Sequence, residues 1–420
     1  MRWFAILFLF LIAAKAAATD LPDAFGRARD GLTVKQQAIF AKGRAVFNRD
    51  WVPYPGYRDD LDGLGPLFNR VSCSGCHFAN GRGRPPQTED EPFISMVLRV
   101  HMESSRSRKM HPVYGGQVND RALPTVPAEG APHVSYHEQA GRYPDGADYS
   151  LQVPTYRVEG GAYGPLDNAV FSPRVAPQFA GVGLLARVPA KVVEALADPD
   201  DRDGDGISGR VRYIGKGGVE YIGRFGWKAA QPTIRDQTVS ALYEDIGITS
   251  AAHSRQNCLP SQTACRLSAA QEGPEISEDD LSHLVSYQMW LMPPTAGTTS
   301  VEGRAAFEAA GCDACHRPAL PLEDGGTAAA FTDLLLHDMG DGLSDGGANI
   351  LSREWRTAPL WGIGHIAQVN GHTRLLHDGR ARNVEEAILW HGGEAQASKE
   401  AFMRLPSMDR KAVIEFIEGL

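Results

Sequence analysis

Residues 73–77 read Cys-Ser-Gly-Cys-His, and residues 312–316 read Cys-Asp-Ala-Cys-His. The same side-chain group, two cysteines spaced by two residues and followed at once by a histidine, thus occurs twice. Its chemistry explains the spacing. Sulfurs about one turn apart reach the two vinyl groups of one haem and form thioethers, and the next histidine is held under the iron as its proximal ligand. A dithiol redox pair has no use for the histidine, and structural zinc wants its thiolates gathered in one cluster. The sequence therefore predicts two covalently bound haem c groups. One is held by Cys73, Cys76 and His77, the other by Cys312, Cys315 and His316.

Working outward, each motif has the same approach. GRAVF (43–47) precedes the first and GRAAF (303–307) the second, each within an amphipathic run. Each unit also closes with a helical pattern, ISEDDLSHLVSYQMWL (276–291) and MDRKAVIEFIEGL (408–420). Prolines in MPPT end the first of these and mark a boundary. The expected fold is mainly α, with two cytochrome-c-like helical units. The N-terminal unit spans 19–295 and carries an insertion at about 90–275, loop-rich with some short strands; the C-terminal unit spans 296–420.

Composition sets outer bounds. The chain has 420 residues, 43% apolar and 22% charged, long enough for two or three domains. A net charge of −9 argues against nucleic acid as a partner, since such proteins present a basic face. With 45 glycines and 27 prolines, long irregular stretches are expected. Residues 1–18 have the layout of a secretory signal: Arg2, an apolar run from Trp3 to Ala14, then Ala16-Ala17-Ala18 as a cleavage site. That run is too short to span a bilayer, so no transmembrane anchor is expected after its removal and the mature protein is expected in the periplasm. In that oxidising compartment the two remaining cysteines, Cys258 and Cys265 in QNCLPSQTAC, are expected to pair.

Inside the insertion, ADPDDRDGDGISGR (197–210) sets Asp201, Asp203 and Asp205 ahead of Gly206. Alternate carboxylates converging on one hard cation, with glycine at the sharp turn, point to a calcium ion. Arg212 stands where a full EF-hand would place its closing glutamate, so the loop is a calcium candidate without being an EF-hand.

Nearly the whole mature chain resembles the bacterial di-haem oxidoreductase family, whose members are labelled peroxidases or thiol oxidoreductases. The resemblance rests on CSGCH, YGGQ (114–117), LPTVPAEG (123–130), PTYRVEGGAYGPL (154–166) and SPRVAPQFAGVGLL (172–185). It continues through the aspartate loop, RFGWKA (224–229), GCDACH, FTDLLLHDMGDGL (331–343), EWRTAPLWGIG (354–364) and LLHDGRARNVEEAILWHGGEA (375–395). More distantly, RTAPLW, HDGR and EEAI are similar to stretches of di-haem cytochrome c peroxidases and of the tryptophan-modifying enzyme MauG.

In those relatives the second haem takes its other axial ligand shortly after the HDG…EEA stretch. The resemblance therefore implies His391, 75 residues after His316, as that ligand. Glycines 392 and 393 would let the backbone pass close to the porphyrin, with Trp390 near its edge. Met339, His337, His365 and His377 are the competing candidates. For the first haem no equally clear partner exists, which implies an open or water-filled reactive side; His101, His111, His133 and His137 are candidate labile ligands. Where the family pattern reads GLLEAIP, this chain reads GLLARVP (183–189), with Ala186 in place of an acid. The resemblance also implies that Trp227 bridges electrons between the haems and that Arg174 and Arg356 pair with haem propionates.

The implied function is a peroxidase-like oxidoreductase. Its first haem meets a small oxidant such as hydrogen peroxide, and its second relays electrons from a redox partner protein or small donor. Two rivals stand beside it: a non-enzymatic electron carrier with both irons six-coordinate, and a MauG-like oxidant of a partner protein.

Overall fold

A computed structural model describes residues 23–102, 109–268, 272–346 and 349–420. The expected signal segment, 1–18, lies outside the described residues.

Both motifs are framed by helix pairs. The first leading helix, Val34–Phe47, starts at Thr33, whose side chain accepts from the Gln36 amide while Gln36 reaches back to the Thr33 amide. Its partner, Glu278–Trp290, starts at Ser277, and its acidic first turn suits the positive end of the helix dipole. Around the second motif, Val301–Ala309 is capped by Ser300 and packs on Ser407–Glu418.

The repeated GRA-x-F runs have a packing cause. A Cβ on Gly43 would lie 2.1 Å from the His283 carbonyl oxygen, and one on Gly303 would lie 2.4 Å from that of Ala412. At both crossings glycine lets the helix backbones meet directly. Four residues on, Phe47 and Phe307 are fully buried.

The mainly α expectation is overturned. Helix accounts for only 31% and strand for 20%, distributed over many small sheets. The insertion is responsible. Ala131–Arg142 and Asp148–Glu159 form a twelve-residue antiparallel hairpin in unbroken register, from Ala131 opposite Glu159 to Arg142 opposite Asp148. Alternating apolar residues (Val134, Tyr136; Leu151, Val153) flank the turn Tyr143-Pro-Asp-Gly-Ala147, which the Tyr143 amide closes on the Ala147 carbonyl at 2.8 Å. A second sheet pairs Ala169–Val175 with Met96–Met102, and Met96–Met102 with Lys109–Met110 and Gln117–Val118.

These strands lie against the C-terminal part of the chain. At the hairpin tip the Tyr143 hydroxyl donates to Glu385 at 2.7 Å and Arg410 pairs with Asp145 at 2.7 Å; near its base, Tyr156 donates to Asp378 at 3.2 Å. The largest core draws on both halves, from Phe25 through Tyr287 to Phe402 and Leu420. The expected Cys258–Cys265 disulfide is formed. No helix among the described residues is long and apolar enough to cross a membrane.

Candidate functional site

Both cysteine motifs open onto one cavity of about 710 Å³, whose wall carries Cys73, Cys76, His77, Cys312, Cys315, His316 and His391. Residues 73–76 form a single helical turn and 312–314 a 3-10 turn; the amides of His77 and His316 close them on the carbonyls of Cys73 (2.9 Å) and Cys312 (3.0 Å). Burial pushes the thiols of Cys73, Cys76 and Cys312 up to about 12.

The three histidines share one arrangement. Nδ1 of His77 lies 2.8 Å from the Pro177 carbonyl, that of His316 2.8 Å from Phe331, and that of His391 2.6 Å from Ala387. A carbonyl only accepts, so Nδ1 must carry the proton in each ring. Burial keeps the rings neutral, lowering His77 and His391 to about 4 and depressing His316. The lone pair therefore lies on Nε2 in all three, the state in which a histidine ligates iron, with the carbonyl fixing the tautomer. A proton on His316 would depress His391 further, so the two rings lie near each other. This donor set fits two haems, and on the second a histidine pair.

The competing candidates separate clearly. His337 donates from Nε2 to Asp333 (2.8 Å) and from Nδ1 to Glu394 (2.7 Å), leaving no lone pair for a metal. Burial alone would strip its charge, but Asp333, Cys315 and Glu394 hold it well above the usual histidine range. His365 is not on the cavity wall. His377 is, and its Nε2 lacks a hydrogen bond, but the ring stacks on Trp355 at 3.6 Å among Arg174, Arg380, Lys228 and Arg82. Met339 also lines the cavity.

At the first motif, His101 lines the cavity, whereas His111, His133 and His137 do not. His111 instead accepts the amides of Val113 and Tyr114, and His133 lies 3.0 Å from the Glu89 carbonyl. Ala186 is not on the wall; it packs against an apolar cluster of which Leu185, Phe225 and Trp361 do line the cavity. The wall does hold Trp227, whose Nε1 donates to the Val175 carbonyl at 2.9 Å and whose ring lies under the Arg82 guanidinium.

Arg356 lines the cavity and, among the described residues, donates to the carbonyls of Gly226 and Thr357; burial lowers it to about 10 against the raising effect of Asp333. A buried cation with carbonyl partners suits a carboxylate from a bound group. Arg174, by contrast, already pairs with buried Asp345 at 2.8 Å.

Two local readings around His391 are corrected. Glycines 392 and 393 serve protein packing: a Cβ on Gly393 would lie 2.2 Å from the Asp338 carbonyl, and one on Gly392 3.1 Å from that of Met339. Trp390 is absent from the wall and packs beside Gly342 under Arg380; Val384, Ala387 and Ile388 face the cavity. Sequence reasoning also missed Glu394, Asp333 and the role of His337: the partners of Glu394 lie 56 or more residues away, and although Asp333 and His337 are only four apart, nothing in that spacing shows that they pair.

In the aspartate loop, ligand oxygens of Asp201, Asp203 and Asp205 lie within 4.8 Å of one another. The turn is built by amide donation from Gly206 to Asp201 (3.1 Å) and from Ile207 to Asp205 (2.8 Å). Its base closes from the Asp198 amide to the Ser208 carbonyl at 2.8 Å.

No curated protein matches the chain. A solved structure of hydrazine synthase from Kuenenia stuttgartiensis, pressurised with 20 bar xenon, aligns over 100% of both chains at 12% identity and a TM-score of 0.34, too low to carry an argument. The profile described as "Di-haem oxidoreductase, putative peroxidase" matches residues 126–420, beginning after the first motif and including the second, and the chain belongs to that di-haem oxidoreductase family.

Proposed function

We propose that the chain is an exported, peroxidase-like oxidoreductase with two covalently held c-type haems, one reactive and one a relay. One observation carries this reading: both cysteine motifs and His391 face a single cavity, with the lone pair of His77, His316 and His391 on Nε2 in each case. Haem, when bound, supplies one-electron exchange and, where an axial position is open, reaction with a small oxidant such as hydrogen peroxide.

The chain's own residues set where each of these happens. Cys73 and Cys76 would tether the first group, with His77 presenting Nε2. Cys312 and Cys315 would tether the second, between His316 and His391, giving it strong-field ligands suited to storing and passing electrons. Trp227, on the wall of the shared cavity, offers an aromatic step between the two. Arg356 would hold a propionate. A calcium ion on Asp201, Asp203 and Asp205 would brace the insertion. Electrons would come from a redox partner protein or a small donor.

One observation favours a second reading. His101 is buried and on the cavity wall; if it closes the first site, the chain is an electron carrier. Steady-state peroxide consumption with an artificial one-electron donor distinguishes them. Sustained turnover is expected. Ready electron exchange with the donor but no turnover of hydrogen peroxide or an alkyl hydroperoxide would replace the enzyme with the carrier.

A further inference from the structure

His391 is three residues from Glu394, and the turn between them is held from outside its own helix. The Glu394 carboxylate sits in a socket of five donors. These are the Ser208 amide (3.1 Å) and hydroxyl (2.6 Å), the Gly209 amide (3.3 Å), the Asp338 amide (3.1 Å) and His337 Nδ1 (2.7 Å). All of them come from segment 208–209 and strand 336–338. Those two segments are joined through the paired backbones of Arg210 and Leu336. His337 also lies 3.7 Å from the Cys315 sulfur, so one imidazolium touches both the second cysteine motif and the anchor of the His391 turn. Gly392 and Gly393 seat that turn on the backbone of 338–340, where a Cβ on Gly393 does not fit and one on Gly392 would be tight. Buried charge-assisted hydrogen bonds are the strong kind, and several acting on one carboxylate fix its position.

Resting on the reading of His391 as an axial ligand, we propose that Glu394 is a positioning residue: its carboxylate, latched to Ser208 and His337, keeps His391 on the cavity wall facing the space it shares with His316. Releasing the latch frees the turn and opens the sixth position of the second haem. Ser208 also closes the base of the aspartate loop, so the order of that loop bears directly on the latch. The second haem is then a conditional relay, closed when the latch is seated and open to exogenous ligands when it is not.

The test uses the haem-loaded full chain, with EPR and imidazole binding as readouts. Glu394→Ala should raise the high-spin fraction of the second haem and its imidazole affinity by about tenfold, the scale of one lost charged hydrogen bond. Glu394→Gln should give a smaller change in the same direction, and Ser208→Ala a smaller one again. If Glu394→Ala fails to fold, those two milder variants carry the test. His391→Gly is the reference that separates the two claims. If it opens the second haem while Glu394→Gln and Ser208→Ala only lower the melting temperature, the latch is overturned and the ligand stands. If His391→Gly itself leaves the low-spin signals unchanged, ligand and latch both fall.

Discussion

Replacing Gly303 by alanine gives opposite signs according to whether the helix or the crossing dominates. Alanine is the better helix former by about 1 kcal/mol, so an isolated helix would gain stability. Here the added Cβ would lie 2.4 Å from the Ala412 carbonyl oxygen and 2.9 Å from Phe416 Cβ. Both neighbours belong to Ser407–Glu418, whose inner face is fixed by buried Val413, Phe416 and Ile417. The helices must move apart, and overpacking of this kind costs about 1–3 kcal/mol. A net loss of up to about 2 kcal/mol is expected after the propensity gain, lowering the melting temperature by as much as a few degrees. Ala305→Gly, at an exposed position of the same helix, isolates propensity and should lose about 1 kcal/mol. Chemical denaturation of the haem-loaded protein measures both. A Gly303→Ala protein more stable than the parent would refute the close-crossing argument and the explanation of the repeated motif with it.

Burial opposes the charged form of Glu394, but hydrogen bonds from His337 and Ser208 outweigh it and draw the group from 4.5 down to about 2, so its contribution is present above pH ~4.5 and lost as the pH falls towards ~2. His337, raised above 6.5, contributes fully below that pH and loses its contribution as the pH rises through its folded value. Glu394→Gln should flatten the acid limb of melting temperature against pH, and an unchanged limb would remove Glu394 from the account. Chelation should lower the melting temperature of the parent but not of Asp203→Ala; equal responses would reduce the aspartate loop to a polar turn. By intact mass, Cys73→Ser/Cys76→Ser and Cys312→Ser/Cys315→Ser should each keep one covalent haem, and loss of both from either variant would mean that the sites are not separately loaded.

Much of the site was legible because its signals are local. Two cysteines and a histidine at fixed spacing need no tertiary context, and neither do the paired helical patterns that lead into and close each motif. The hairpin has a local signal, Pro-Asp-Gly at 144–146 between two alternating runs, but the glycine and proline richness around it points to loop. The glycines beside His391 show that a backbone comes close, whereas their contacts with 338–340 depend on tertiary pairing. The Glu394 socket could not be foreseen, because its donors at 208–209 and 337–338 come together only through tertiary pairing.

The division of labour between the two haems is the central claim, and EPR of the fully oxidised, haem-loaded protein tests it most directly. The account expects one high-spin signal from the haem of His77 and one low-spin signal from the haem of His316 and His391, with His391→Gly converting only the second. Two low-spin signals in the parent protein would close the first haem, leave no open iron for an oxidant, and contradict the account.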